Sequence, residues 1–288
     1  MTDWHSSYLA HPLYRPIRRA ADWLTLTTWP DQASYDRLAA VARERVAGFP
    51  AALRFVADLE PEAYYEAHIG ATGEVPTRLC NWHDWFNALA WCAWPRAKSA
   101  LNARHLRALA RGEVKRGSLR DAATLFDECG VVLAVSDERM ADALKDMDWA
   151  TLFLARREGW GRAIAPFVLG HALSEQGLTP HIGWCGKALL LPVPPAFFSQ
   201  TYEAQLAQLD ASLAERLADD TWLARPRELL PLPLLGIPGW WTANEDPAFY
   251  ANTDYFRPSR RANSSSVMSS ELNAGDSRAS SASATSSS

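Results

Sequence analysis

Histidine, carboxylate and amide side chains cluster in the segment 81–91, where they lie among large apolar residues. His83 and Asn87 are four residues apart, so a helix over this segment places them on one face. Asp84 lies near the start of that helix, where the helix dipole favours a carboxylate. Because a polar group beside Trp85 must be hydrogen-bonded to avoid a desolvation cost, the segment indicates either a functional site or a buried polar network.

Two further segments carry side chains of the same chemistry. Asp127 and Glu128 are adjacent in the segment 120–130, and neighbouring carboxylates bind divalent cations or serve as acid and base. Aspartate is also common in turns, where its side chain bonds the backbone. His171 and Glu175 are four residues apart, which on a helix lets both contact one metal ion.

Histidine and aspartate follow one another along the chain in the order His68, His83, Asp84 and then Asp121 or Asp127. This order resembles that of the metal ligands in the HD-domain phosphohydrolases, which are helical. The resemblance implies a divalent metal that activates water, held by His68, His83, Asp84 and Asp127.

A catalytic set and a substrate-binding set follow from these segments. We expect His83 and His171 to act as ligands or general bases, Asp84 to orient a histidine or bind metal, and Glu128 to activate water. The predicted catalytic residues are His83, Asp84, Asp127, Glu128 and His171, and the predicted substrate-binding residues are Arg78, Trp85, Asn87 and Lys98. The cofactor is unknown, with a divalent metal as the candidate. Motifs for nucleotide cofactors and for α/β-hydrolases are absent from the sequence.

Helices and short strands intermix without a regular β-α-β order, which predicts an α+β fold that is mainly helical with a small antiparallel sheet. The valine-rich pattern predicts a β-hairpin at about 122–135, with further strands at about 163–169 and 187–193. Helices are predicted from Asp31 or Ser34 to about 46, and over 62–69, 83–94, 95–111, 137–145, 148–157, 171–176 and 202–217.

Composition limits the classes of function. Residues 1–258 read as a single globular domain, and the Ser-rich segment 259–288 reads as a disordered tail because it has too few apolar residues to form a core. The net charge of −4 disfavours general nucleic-acid binding, and we interpret the basic run from Arg96 to Arg116 as a solvated helix face. No stretch has the length of a membrane span, and the beginning of the chain lacks the pattern of a signal peptide. We therefore expect a cytoplasmic protein whose small-molecule or protein partner is unknown.

Five segments together resemble a bacterial family known only as domain of unknown function 3025. They lie at 75–89, 95–102, 120–130, 170–173 and 236–258, and the resemblance spans about residues 10–260. It implies one folded unit and brings no reaction, substrate or cofactor with it.

Three hypotheses of function remain open. The first is a metal-assisted hydrolase with its histidines and carboxylates in a pocket lined by aromatic residues. The second is a non-catalytic ligand- or protein-binding protein that uses a Trp-rich surface, with a groove in the segment 230–241 that includes Trp240 and Trp241. The third is a purely structural polar network around His83.

Overall fold

The computed structural model describes residues 3–57, 59, 64–112 and 117–258. Within these ranges the helices are α1 (Arg15–Ala21), α2 (Gln32–Arg45), α3 (Tyr65–Thr72), α4 (Trp82–Ala93), α5 (Pro95–Ala110), α6 (Ser118–Cys129), α7 (Glu138–Lys145), α8 (His171–Gln176) and α9 (Tyr202–Leu217). The strands are β1 (Arg54–Ala57), β2 (Glu74–Thr77), β3 (Gly130–Val135), β4 (Ile164–Val168), β5 (Cys185–Pro192) and β6 (Leu230–Pro233). The mainly helical α+β class is confirmed.

A four-stranded mixed sheet lies at the centre of the core. Its strand order is β4-β3-β5-β6, with β3 antiparallel to β4 and parallel to β5, and β6 antiparallel to β5. Val131 and Leu133 face one apolar cluster, whereas Val132 and Ala134 face the other, because successive strand residues point to opposite sides. The short strands β1 and β2 form a separate parallel pair. The predicted sheet was purely antiparallel, and the parallel β3–β5 pair corrects it.

The predicted hairpin at 122–135 is wrong in its first half. Ala122, Ala123 and Phe126 are buried on one face of helix α6, and their spacing of one and three residues is helical. The turn expected at 127–130 is the last turn of α6, which passes directly into β3 at Gly130. Asp127 and Glu128 are therefore in the last turn of a helix.

Most of the other elements match their predictions. The side chain of Asp31 caps α2 by accepting from the amide of Ser34, and that of Asp137 caps α7. The strands expected near 163–169 and 187–193 are β4 and β5, and the helices at 171–176 and 202–217 are α8 and α9. A π-helical segment at Ala150–Ala155 replaces the regular helix predicted there.

Some predictions lie outside the described residues. These are the helix start at 61–62 and the tail at 259–288, and the single domain over 1–258 stays a prediction.

The interpretation of the basic run as a solvated face is wrong for two of its members. Lys98 is buried, and so is Arg104, whose guanidinium donates to the carbonyl oxygens of Leu217 and Leu223.

Trp82, Trp85 and Phe86 of α4 pack into the core rather than around a pocket. The rings of Trp82 and Phe86 stack at 5.5 Å, and Trp82 also stacks on Trp4 at 5.1 Å. The indole N–H of Trp85 donates to the hydroxyl of Tyr8 at 2.8 Å. This packing fixes α4, so that its remaining face can hold polar side chains in place.

Candidate metal centre and adjoining cavity

Three helix ends meet where the polar side chains converge. His83 lies in the first turn of α4, Glu128 in the last turn of α6, and His171 is the first residue of α8. Helix α8 packs against both α4 and α6. Backbone contacts hold this arrangement, because the amide of Gly170 donates to the carbonyl of Gly130 at 2.9 Å.

The three side chains present one ligand atom each to a common point. Nε2 of His83 and Nε2 of His171 are 3.1 Å apart. Oε2 of Glu128 is 3.8 Å from the first nitrogen and 3.6 Å from the second. A triangle with these three sides has a circumscribed radius of about 2.0 Å, which is the length of a zinc–nitrogen or zinc–oxygen bond. In the described ranges, no other three His, Cys, Asp or Glu residues bring ligand atoms this close together.

In the neutral form of the two imidazoles, their Nδ1 contacts place the proton on Nδ1 and leave a lone pair on each Nε2. Nδ1 of His171 is 2.9 Å from the backbone carbonyl of Asp127, which only accepts, so Nδ1 carries the proton. Nδ1 of His83 is 3.1 Å from Oε2 of Glu175, also an acceptor. In the neutral rings two nitrogen lone pairs then face each other, and a cation between them relieves the repulsion.

Burial favours the uncharged form of one ligand. It lowers the pKa of His171 to about 3, and the nearby Lys98 ammonium acts in the same direction. A neutral imidazole is the form that binds metal. Burial also raises the pKa of Glu128, against the lowering effect of His83. A dication beside Glu128 would favour its carboxylate form.

A cavity of about 530 Å³ adjoins these three side chains. Its wall carries two basic side chains, Arg78 and Lys98, and four acidic ones, which are Glu66, Asp84, Asp127 and Glu128. The acids outnumber the bases by two, so a divalent cation would balance the charge of the wall. The aromatic side chains on the wall are Tyr65 and Trp91.

Lys98 is the centre of a buried network on the cavity wall. Its Nζ atom donates to Oδ1 of Asp127 at 2.6 Å and to Oδ1 of Asn87 at 2.9 Å. Nδ2 of Asn87 donates in turn to the hydroxyl of Tyr65 at 2.9 Å. Burial alone would raise the pKa of Asp127, but Lys98 and His171 hold it below its usual range. The network fixes Asp127, whose carbonyl oxygen orients His171.

Eight of the predicted site residues line this one cavity: Arg78, His83, Asp84, Asn87, Lys98, Asp127, Glu128 and His171. Trp85 does not, because it is buried in the core. Asp84 lines the wall, but its carboxylate is paired with the guanidinium of Arg78, which donates from Nε at 2.8 Å and from Nη2 at 3.0 Å.

The predicted metal set of His68, His83, Asp84 and Asp127 is not brought together. Nε2 of His68 lies 3.0 Å from Oε2 of Glu74 instead. The close group contains Glu128 and His171 with His83, and Glu175 contacts His83 rather than sharing an ion with His171. Tyr65, Thr124 and His105 line the cavity and were not predicted, since nothing in their local sequence marks them.

The tryptophans of the alternative hypothesis lie elsewhere. Trp240 is buried, Trp241 is partly buried, and both line a different cavity together with His5, Tyr8 and His11. His11 donates from Nε2 to the carbonyl of Trp240 at 2.8 Å, since its Nδ1 accepts from the amide of Leu13. Trp240 therefore has a packing role, with little surface left for a partner.

A family model described as "Protein of unknown function (DUF3025)" matches residues 53–260. The chain belongs to this family. The matched part of the DUF3025 chain includes His83, Glu128 and His171. Neither the curated proteins nor the solved structures contain a match to this DUF3025 member.

Among its described helices, none combines the length and apolar character needed to cross a bilayer. The cytoplasmic location stays a prediction.

Proposed function

We propose that this protein is a hydrolase that uses one divalent metal ion, most simply Zn²⁺, held by Nε2 of His83, Nε2 of His171 and the carboxylate of Glu128. The proposal rests on one observation. A common point lies about 2.0 Å from three ligand atoms, and the Nδ1 atoms of both histidines face other acceptors. Two histidines and one glutamate form a ligand set used by catalytic zinc sites.

The hydrogen bonds that the two proposed histidine ligands make through Nδ1 support a metal ion at this point. Metal-binding histidines usually donate their other N–H to a carboxylate or a backbone carbonyl. Here His83 has the Glu175 carboxylate and His171 has the carbonyl of Asp127. These contacts direct the Nε2 atoms of both rings to the common point that they share with Glu128.

Three protein ligands leave one coordination position for water, and the adjoining cavity provides room for a substrate. A metal ion held by these residues would lower the pKa of a bound water and polarise a carbonyl or phosphoryl oxygen. Lys98 lies on the same wall, where its ammonium holds the side chains of Asp127 and Asn87 by hydrogen bonds. Asp84 holds Arg78 and the loop before α4 in position, rather than taking part in the chemistry.

Metal titration of the full chain tests the ligand set. After chelator treatment, calorimetry with Zn²⁺ and Mn²⁺ should give one ion per chain. His171→Ala should abolish this binding, whereas His181→Ala should keep it, because His181 is exposed and lies outside the cavity. Far-ultraviolet circular dichroism without metal checks that both variants are folded. Stoichiometric binding that survives His171→Ala, or no binding by the wild type, would reject the ligand set.

Turnover tests the reaction class separately. The metal-bound protein should hydrolyse at least one of p-nitrophenyl acetate, p-nitrophenyl phosphate and bis-p-nitrophenyl phosphate, with activity lost on chelation and restored by the ion. His181→Ala should match the wild type. One bound ion with no turnover of the three substrates would retain the metal centre and reject hydrolysis of these ester classes.

A further inference from the structure

A second, larger cavity of about 800 Å³ lies away from the proposed metal centre. It is formed by α1, the end of α2, the junction of α4 and α5, and the first half of α9. Its lining residues differ from those of the first cavity, so it takes no part in the proposed hydrolysis. We call it the arginine groove after the five arginines on its wall, which are Arg15, Arg18, Arg19, Arg45 and Arg96.

The groove concentrates positive charge in a chain whose net charge is −4. Three acids share the wall: Asp22, Glu203 and Asp210. Within the described part of the chain, none of the five arginines forms an ion pair with a carboxylate. Arginines elsewhere do, as Arg54 with Glu74 and Arg156 with Asp137.

The acid at the base of the groove is already engaged. Asp210 is buried, and its carboxylate accepts from the amide of Ala97 at 2.8 Å and from that of Arg96 at 3.2 Å. It caps the amino-terminal end of α5 and is not available to neutralise the arginine side chains. With Asp210 engaged, Asp22 and Glu203 are the other acids of the wall, and the five arginines outnumber them.

Contacts within the chain hold Arg18, Arg15 and Tyr202 of the wall in place. Nη2 of Arg18 donates to the carbonyl of Leu9, and its Nε atom is buried, as is the hydroxyl of Tyr202. Arg15 lies over the ring of Tyr202, with its guanidinium carbon 4.0 Å from the ring centroid, which keeps both side chains in place. The arginines of the wall that are exposed to a ligand are Arg15, Arg19, Arg45 and Arg96.

The rest of the wall is apolar, with Pro16, Trp23, Val46 and Leu206 among its residues. The volume exceeds that of a bare phosphate and falls in the range of small-molecule sites. Phosphate oxygens are the preferred partners of arginine guanidinium groups, and an aromatic ring can stack on an indole. We propose that the arginine groove binds a small phosphorylated ligand with an aromatic portion, such as a nucleotide, with its phosphates on the arginines and its ring on Trp23.

Calorimetry on the full chain tests this proposal, with ATP, inorganic pyrophosphate and adenosine as probes. Chelator is present throughout, so that the metal centre cannot contribute. ATP should bind at low salt, pyrophosphate more weakly, and adenosine most weakly. Arg19→Gln and Arg45→Gln, both at exposed positions, should each weaken ATP binding about tenfold. Arg37→Gln is the matched control, since Arg37 is exposed on α2 and outside the groove.

Each contrary result rejects a stated part of the proposal. If neither ATP nor pyrophosphate binds, or if Arg37→Gln weakens binding as much as Arg45→Gln, there is no phosphate site in the groove. Trp23→Ala should weaken ATP binding and leave pyrophosphate binding unchanged. Equal affinity for ATP and pyrophosphate would reject the aromatic portion of the ligand.

Discussion

Nδ1 of His83 lies 3.1 Å from the carboxylate of Glu175, although the two residues are 92 positions apart in the sequence. Glu175 lies in the last turn of α8, and His171 begins the same helix. One six-residue helix thus supplies both a proposed ligand and the carboxylate that orients another ligand. The contact fixes the tautomer of His83, so that Nε2 faces His171.

Glu175→Gln should weaken metal binding without unfolding the protein. The substitution removes the negative charge that keeps the proton on Nδ1, and loss of such a contact typically lowers metal affinity by about 10- to 100-fold. The side chain of Glu175 is about half exposed, so the free energy of unfolding without metal should change little. Zinc affinity measured by competition with a chelating dye checks this. Glu44→Gln, exposed on α2, is the control, and equal affinities of the two variants would contradict an orienting role.

Gly170→Ala should separate His171 from Glu128. A Cβ atom at this position would lie 2.5 Å from the carbonyl oxygen of Glu128 and 2.6 Å from the amide nitrogen of Gly130. Because both are backbone atoms, α8 must move, and overpacking of this kind costs about 1–3 kcal/mol. We expect loss of stoichiometric zinc binding together with a lower free energy of unfolding.

Gly159→Ala is the matched control for that substitution. Its Cβ would meet the sulfur of Met140, a flexible side chain that can shift. Zinc calorimetry and urea unfolding should give values close to the wild type for this control. Wild-type zinc affinity in Gly170→Ala would show that the contact between α8 and α6 does not position the ligands.

Lys98→Met should destabilise the protein strongly. The ammonium of Lys98 is buried, and its removal leaves the Asp127 carboxylate without its closest cation. Loss of one partner of a buried ion pair costs about 3–5 kcal/mol, and the partial exposure of Asp127 points to the lower end. Urea unfolding of Lys98→Met and of Lys98→Met combined with Asp127→Asn measures it. The double variant should recover part of the loss, and additive losses would contradict the pairing.

Asp210 should make stability depend on pH between about 4 and 6. Burial raises its pKa from 3.8 to about 6 in the folded protein, despite the lowering effect of the amides of Ala97 and Arg96. The folded state therefore keeps a proton that the unfolded state releases above pH 4. The contribution of this proton to stability is full below pH 4 and is lost as pH rises through 6, with a change of up to about 3 kcal/mol.

The Asp210→Asn variant isolates this effect, because asparagine does not titrate and its one carbonyl oxygen can still accept the hydrogen bond from the amide of Ala97. The free energy of unfolding of the wild type, measured relative to that of the variant, should fall between pH 4 and pH 6. Parallel curves for the two proteins over this range would contradict the raised pKa.

The sequence predicted the elements whose signals are local. Asp31 and Asp137 cap helices because a short acceptor side chain bonds the first free amides, and these are visible in the sequence. The hairpin error has an equally local cause. The run from Ala122 to Phe126 is apolar at positions that suit a short buried strand as well as one face of a helix, and periodicity alone does not separate them.

The site was predictable in its residue types but not in its pairings. His83, Glu128 and His171 are recognisable as ligands because histidine and carboxylate side chains stand among apolar residues. Which of them meet depends on how α4, α6 and α8 pack, and contacts across 44 to 92 residues leave no local mark. His68 has the same chemistry as His83, yet the packing of α3 beside β2 places it on Glu74.

Helix α6 passes into the central strand β3 with no loop residue between them. The rotation of Glu128 about the helix and the alternation of Val131 and Val132 across the sheet are therefore set by one continuous register. A single inserted or deleted residue at this junction would turn the carboxylate by about 100° or exchange the two faces of the strand. Length variation among relatives should consequently avoid the α6–β3 junction and fall in the surface segments.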